Sequence, residues 1–232
     1  MAREMVDSRY EHETGLNIDG GTIEVIVGSG NVRFYVHENV VCSRSCFFDA
    51  ALGKEWAEGV ERVVTLPEDR PEVFKAYLQW LYSGRINSVK QRDPRDYRLL
   101  SRMYALGEKL IDPESQDRVL DAILAIARFR DDRGRQKFPA DEAISIIYDA
   151  TPPGSPARRL LVDLHMRHGG SGWISNHRDD VHRGYALDLA TELLKERSAK
   201  GSEGKKYEEL DTGTPCSYHH HANGRSCGGD GI

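Results

Sequence analysis

No uninterrupted apolar run in this 232-residue chain approaches the ~20 residues that a bilayer-spanning helix needs. The opening stretch MAREMVDSRYEHETG is charged and has no apolar h-region, so it does not read as a secretory signal. Cysteine is scarce. Cys42, Cys46, Cys216 and Cys227 are too few for a disulfide scaffold in a chain of this length, and reduced thiols in the cytosol or nucleus are expected. There is no GxGxxG, P-loop or HExxH, so the common signatures of nucleotide-cofactor and zinc-protease chemistry are missing. Positive charge is outnumbered: 32 Lys and Arg stand against 37 Asp and Glu, the net charge is −5 and the pI is near 6.0, whereas nucleic-acid binding calls for a concentrated basic patch. The run RFRDDRGRQK (Arg128 to Lys137) is interrupted by Asp131 and Asp132 and reads as a solvated helix end or loop. Hydrophobic residues make up 39% and charged residues 30%, which predicts a real core with a sizeable exposed or disordered fraction.

What is present has a clear order. Residues 1–19 lack periodicity and are expected to be a flexible lead-in. In TIEVIVG, Ile23, Val25 and Val27 share one face, and Val32, Phe34 and Val36 alternate beyond the Gly28–Asn31 turn. Two such runs about a short Gly/Asn turn predict a β-hairpin. ENVVCSRSCFFDAALG fits two short helices, with Ser45 a candidate N-cap for the second and Gly53 a stop. VERVVTLPED predicts a third strand ending at Leu66-Pro67. DRPEVFKAYLQWLYSG reads as a helix capped by Asp69, with Pro71 in its first turn and Gly84 at its end; Val73, Phe74, Tyr77, Leu78 and Leu81 form its apolar stripe. A short fourth strand is expected around Ile86. From there the pattern is helical: RDYRLLSRMYALGEKL, PESQDRVLDAILAIARF, PADEAISIIYDA, then SPARRLLVDLHMRHG with Ser155 as cap and Pro156 at its first position. YALDLATELLKER follows, amphipathic through Ala186, Leu189, Ala190, Leu193 and Leu194. Residues 199–232 are too polar to bury enough apolar surface to offset ordering entropy, so a disordered tail is expected.

This order resembles the BTB/POZ domain. VRFYVHENVVCSRSCFFDAAL (Val32 to Leu52) is similar to the family's strand–His–helix–Ser-x-Phe-Phe run. VVTLPEDRPEVFKAYLQWLYSGRI is similar to its strand, acidic turn and long helix with a Leu-Tyr-x-Gly ending, and LLSRMYALGEKL to its Ala-Asp/Glu-Lys helix. The resemblance spans Gly20 to Phe129 and looks most like the BTB-only proteins of filamentous fungi. It implies an α/β (α+β) fold, a small sheet of three to four strands covered by helices, over residues 20–130, followed by an all-helical extension over 131–198. Two departures stand out: Gly107 replaces the usual Ala, and the stretch before Thr22 lacks the apolar strand and helix that many family homodimers exchange.

The resemblance implies a non-catalytic protein-interaction module inside the cell, with no cofactor, no membrane and no nucleic acid. Trp56-Ala57-Glu58 looks like the hydrophobic-x-Glu element with which BTB adaptors engage a cullin scaffold, so Trp56 and Glu58 are the expected interface and a ubiquitin-ligase substrate adaptor the expected role. Physically, a large apolar anchor beside a carboxylate suits a protein interface, although Trp56 can equally pack on its own domain. Two other readings remain open: a self-associating regulator, for example of transcription, and a small hydrolase using His37 or Cys42.

The remaining reactive residue types have ordinary duties available. His37 fits a structural position between strand and helix. Cys42 and Cys46, spaced i, i+4, supply at most two ligands to a metal and read as small weak hydrophobes; Ser43 and Ser45 read as turn and cap. Cys216, His219, His221 and Cys227 have the composition of a zinc set but not a finger's spacing. His165, His168, His177 and His182 belong to the helical extension. His165 and His168 lie at a helix C-terminus, where the dipole favours a cationic ring.

Overall fold

The computed structural model describes residues 16–53, 57–86, 96–170, 181–199 and 218. The chain divides into two compact units, Met1–Glu68 and Asp69–Ile232.

In the first unit the hairpin forms as its turn chemistry dictates. Strands β1 (Thr22–Val27) and β2 (Val32–His37) pair antiparallel, from Thr22 opposite His37 to Val27 opposite Val32. Asn31 takes φ 50° and Gly28 φ 73° to close the turn. Strand β3 (Val63–Leu66) lies parallel to β1, giving the order β2-β1-β3. Parallel neighbours need a crossover rather than a tight turn. Here α1 (Glu38–Cys42), α2 (Cys46–Ala51) and α3 (Ala57–Glu61) make it. Ser45 caps α2 by accepting from Phe48 N–H at 3.2 Å. Ile23, Val25, Val27, Val36, Val64 and Leu66 are buried on the inner side of the sheet. The third strand is shorter than expected, because Val60 and Glu61 belong to α3 and Arg62, at φ 58°, breaks the backbone between helix and strand.

The second unit is helical: α4 (Pro71–Ser83), α5 (Tyr97–Lys109), α6 (Pro113–Arg128), α7 (Glu142–Ala150), α8 (Pro156–His168) and α9 (Arg183–Ala199). Helix α4 starts on Pro71 and ends on Gly84 in the left-handed conformation, as expected. Its N-cap is Arg70, not Asp69, and makes no side-chain cap bond. The Asp69 carboxylate instead pairs with Lys109 Nζ at 2.6 Å, an alternative partner that the local sequence does not show. Ile86 itself belongs to no strand, residues 87–95 lie outside the described residues, and the sheet has three strands among the described residues.

Helices α5, α6 and α7 pack through Leu100, Met103, Leu106, Val119, Leu120, Ile123 and Ile147, all buried. Burying a side chain of this size stabilises by roughly 1.5–3 kcal/mol, against about 0–1 kcal/mol for an exposed ion pair. This seam therefore outweighs the surface pairing of Arg98 and Arg102 with Glu142. Gly107 sits where α5 and α6 approach closely: a Cβ there would lie 2.6 Å from Ser115 Oγ and 2.9 Å from Gln116 Cγ. That contact leaves little room for an alanine at 107.

Ser155 caps α8 by accepting from Arg158 N–H, and Arg158 in turn caps the end of α7. Its guanidinium donates to the carbonyls of Tyr148 (2.7 Å) and Thr151 and lies 4.4 Å from the centroid of the Tyr148 ring. The last helix is less of a core element than its leucines suggest. Tyr185 and Leu189 are buried, but Leu187, Leu193 and Leu194 are exposed, because α9 meets α7 and α8 mainly through its first half.

His165 is not the solvated cation that its place near a helix end suggests. It is 6% exposed, its Nδ1 lies 2.7 Å from the Leu161 carbonyl and its ring meets Tyr185 edge-on. Burial holds its pKa below the ordinary value of 6.5, against smaller opposing effects of the Leu161 and Pro139 carbonyls. As pH falls through 6.5, the unfolded chain takes up a proton that the folded chain refuses, so stability falls with it. The expected result is a urea midpoint that is flat above about pH 7 and drops below it, with His165 contributing up to ~1.4 kcal/mol per pH unit. A His165→Phe variant with an unchanged acid-side slope would contradict this.

Candidate functional site

The best-defined candidate surface is helix α3, and its shape follows from one glycine. Gly59 is buried, and a Cβ on it would lie 2.9 Å from the Gly53 carbonyl carbon and 3.0 Å from the Leu52 carbonyl oxygen. Successive helical residues turn by ~100°, so pinning Gly59 inward swings Glu58 and Val60 out on its two flanks and points Glu61 away. Glu58 and Glu61 are exposed, and Val60, at 75%, is the most exposed large hydrophobic side chain among the described residues.

The helix is fastened at its far end. Arg62 N–H donates to the Glu58 carbonyl (2.8 Å), its carbonyl accepts from Glu24 N–H of β1 (2.9 Å), and its guanidinium pairs with Glu38 of α1 at 2.7 Å. The result is an acidic ridge with one apolar side chain, held to β1, α1 and the end of α2. It offers no nucleophile. What it can do is bury Val60 against a partner while Glu58 and Glu61 orient basic groups.

Glu58, one of the two expected interface residues, is exposed on α3, whereas Trp56 lies outside the described residues. Val60, which the sequence pattern places in the following strand, belongs to α3. The signal that would have found it is Gly59, which breaks a strand and lets a short helix approach another backbone closely.

The other reactive residues do not converge. His37 ends β2 opposite Thr22 and serves as backbone N-cap of α1, without a side-chain cap bond. Cys42 ends α1 and Cys46 starts α2, so the two thiols are not one face of a continuous helix. Burial, with the charges of Glu38 and Asp49, pushes the Cys42 thiol up to about 11. The nucleophile is the thiolate, so Cys42 is inert at neutral pH. Iodoacetamide at pH 8 is expected to modify it on the order of 100-fold more slowly than a thiol of ordinary pKa; rapid carbamidomethylation of Cys42, read by peptide mapping, would refute that.

His182 caps α9: its Nδ1 accepts from Gly184 N–H at 3.1 Å, while Nε2 lies 3.2 Å from Asp149 Oδ1. His168 stacks on Phe138 at 4.7 Å. His177 lies outside the described residues, as do Cys216, His219, His221 and Cys227. Among the described residues no group of three His, Cys, Asp or Glu side chains is disposed to hold a metal, and no helix is long and apolar enough to cross a membrane.

Residues 18–111 match the family model of the BTB/POZ domain. The match runs from just before β1 to just after α5 and so includes α3 and its ridge. The three-stranded mixed sheet and its helices are the BTB fold, with further helices following it along the chain. The BTB domain is a protein–protein interaction module, and the family is generally non-catalytic.

Proposed function

We propose that this protein is a substrate adaptor for a cullin-type ubiquitin ligase, with an interaction domain over residues 20–130 and a helical extension over 131–198 that holds or positions the substrate. The observation that carries the reading is the exposed ridge of α3 inside the BTB match, where Glu58 and Val60 are exposed to solvent. In BTB adaptors this segment carries a hydrophobic-x-Glu element. An apolar anchor flanked by carboxylates gives a partner both buried area and a fixed register.

Replacing Trp56 and Glu58 together by Ala is expected to eliminate co-purification of a cullin from source-cell lysate while moving the melting temperature by no more than a degree or two. Undiminished co-purification would sink the assignment. A self-associating regulator without a ubiquitin-ligase role is the competing reading, supported by the capacity of BTB domains to self-associate. Light scattering on the purified chain separates the two, since a stable homodimer without cullin capture favours the regulator.

A further inference from the structure

One residue of the C-terminal stretch is described, and it is not free. Tyr218 keeps only 7% of its surface exposed, and its hydroxyl donates to Asp163 Oδ2 of α8 at 2.7 Å. A polar tail has no reason of its own to bury an aromatic ring, because the ordering entropy must be offset by the contact. We propose that α8 carries a docking site for the chain's own C-terminal segment, with Tyr218 as the anchor and the Arg159–Asp163–Arg167 stripe as the receptor.

The stripe is suited to the task. Arg159, Asp163 and Arg167 are spaced i, i+4, i+8 and share one flank of α8, while Leu160, Leu161, Leu164 and His165 are turned into the protein. The central carboxylate accepts the phenol, and the charges of Arg167 and Arg159 oppose its protonated form only weakly. Burial, the bond to Asp163 and its charge all favour the protonated phenol, the form that donates. Residues 200–217 separate α9 from Tyr218, enough chain to reach roughly 60 Å when extended. Because the contact is made within one chain, a tyrosine arriving from another molecule must outcompete Tyr218.

The test uses the full chain and a fluorescein-labelled peptide spanning residues 212–223 with Cys216→Ser, followed by anisotropy. A Tyr218→Ala chain has an empty site and is expected to bind the peptide at least 10-fold more tightly than the unaltered chain. Adding Asp163→Ala to Tyr218→Ala should weaken that binding by roughly 10-fold or more, the loss of one hydrogen bond to a charged acceptor. Equal affinity for the unaltered and Tyr218→Ala chains, absence of binding to both, or indifference to Asp163 would each overturn the proposal. So would a dimer of the unaltered chain that Tyr218→Ala dissociates, because the occupant would then be the tail of a second copy. Melting curves of each variant establish that α8 remains folded.

Discussion

Asp112→Ala is expected to lower stability by about 3 kcal/mol, which for a chain of this size is roughly 6–12 °C in melting temperature. Asp112 is fully buried, and its two carboxylate oxygens do different work. Oδ1 accepts from Ser115 N–H at 3.0 Å and so caps α6, while Oδ2 accepts from the Tyr77 hydroxyl of α4 at 2.8 Å. Its backbone is committed as well: N–H donates to the Gly107 carbonyl, and the carbonyl accepts from Ser115 Oγ. Alanine removes the cap, worth ~1 kcal/mol, and takes the carboxylate acceptor from the buried Tyr77 phenol, worth a further ~1–3 kcal/mol. Asp112→Asn keeps an acceptor and can donate to the Tyr77 oxygen, so it should cost about 1 kcal/mol. Tyr77→Phe should also cost about 1 kcal/mol, and the double variant should fall short of the sum, since the two residues share one bond. Equal destabilisation by Ala and Asn would show that the shape of the side chain, and not its hydrogen bonds, is what the site requires.

Gly59→Ala is expected to strike the candidate site and the fold together. The added methyl meets the carbonyls of Gly53 and Leu52, which are backbone and cannot swing aside. Helix α3 must lift or tilt, at about 2 kcal/mol, or roughly 4–8 °C in melting temperature. Because Gly59 fixes the rotation of the helix, Glu58 and Val60 turn with it, so partner binding should fall more than stability alone explains. Glu61→Ala, on the same helix but directed outward, should leave the melting temperature unchanged. Cullin capture at full strength by a folded Gly59→Ala chain would mean that the ridge is not the contact surface.

Much of the fold was legible because local chemistry and tertiary outcome agree. The Gly28–Asn31 turn, the Ser45 and Ser155 caps, Pro71 and Gly84 each act within a few residues of themselves, and each is found as expected. The failures arise where tertiary neighbours, present or absent, override the local pattern. Asp69 leaves its helix for Lys109, forty positions away. His165 is buried among Leu161, Pro139 and Tyr185, and its place near a helix end gives no sign of that. Leu193 and Leu194 have the right spacing for a core face, but neighbouring helices do not extend far enough to cover them. At the candidate site the glutamate was legible and the valine was not, because Val60 looks like the first residue of a strand until Gly59 is seen against the Gly53 carbonyl.

The most direct measurement is titration of the purified full chain with a purified cullin-type scaffold, by calorimetry with light scattering on the mixture. An adaptor is expected to form a complex of one chain per scaffold with a dissociation constant of about 1 μM or tighter, close to −8 kcal/mol, and to lose it on substitution of Trp56 and Glu58. Absence of heat and of any complex at about 100 μM scaffold, with the chain folded, would contradict the adaptor account.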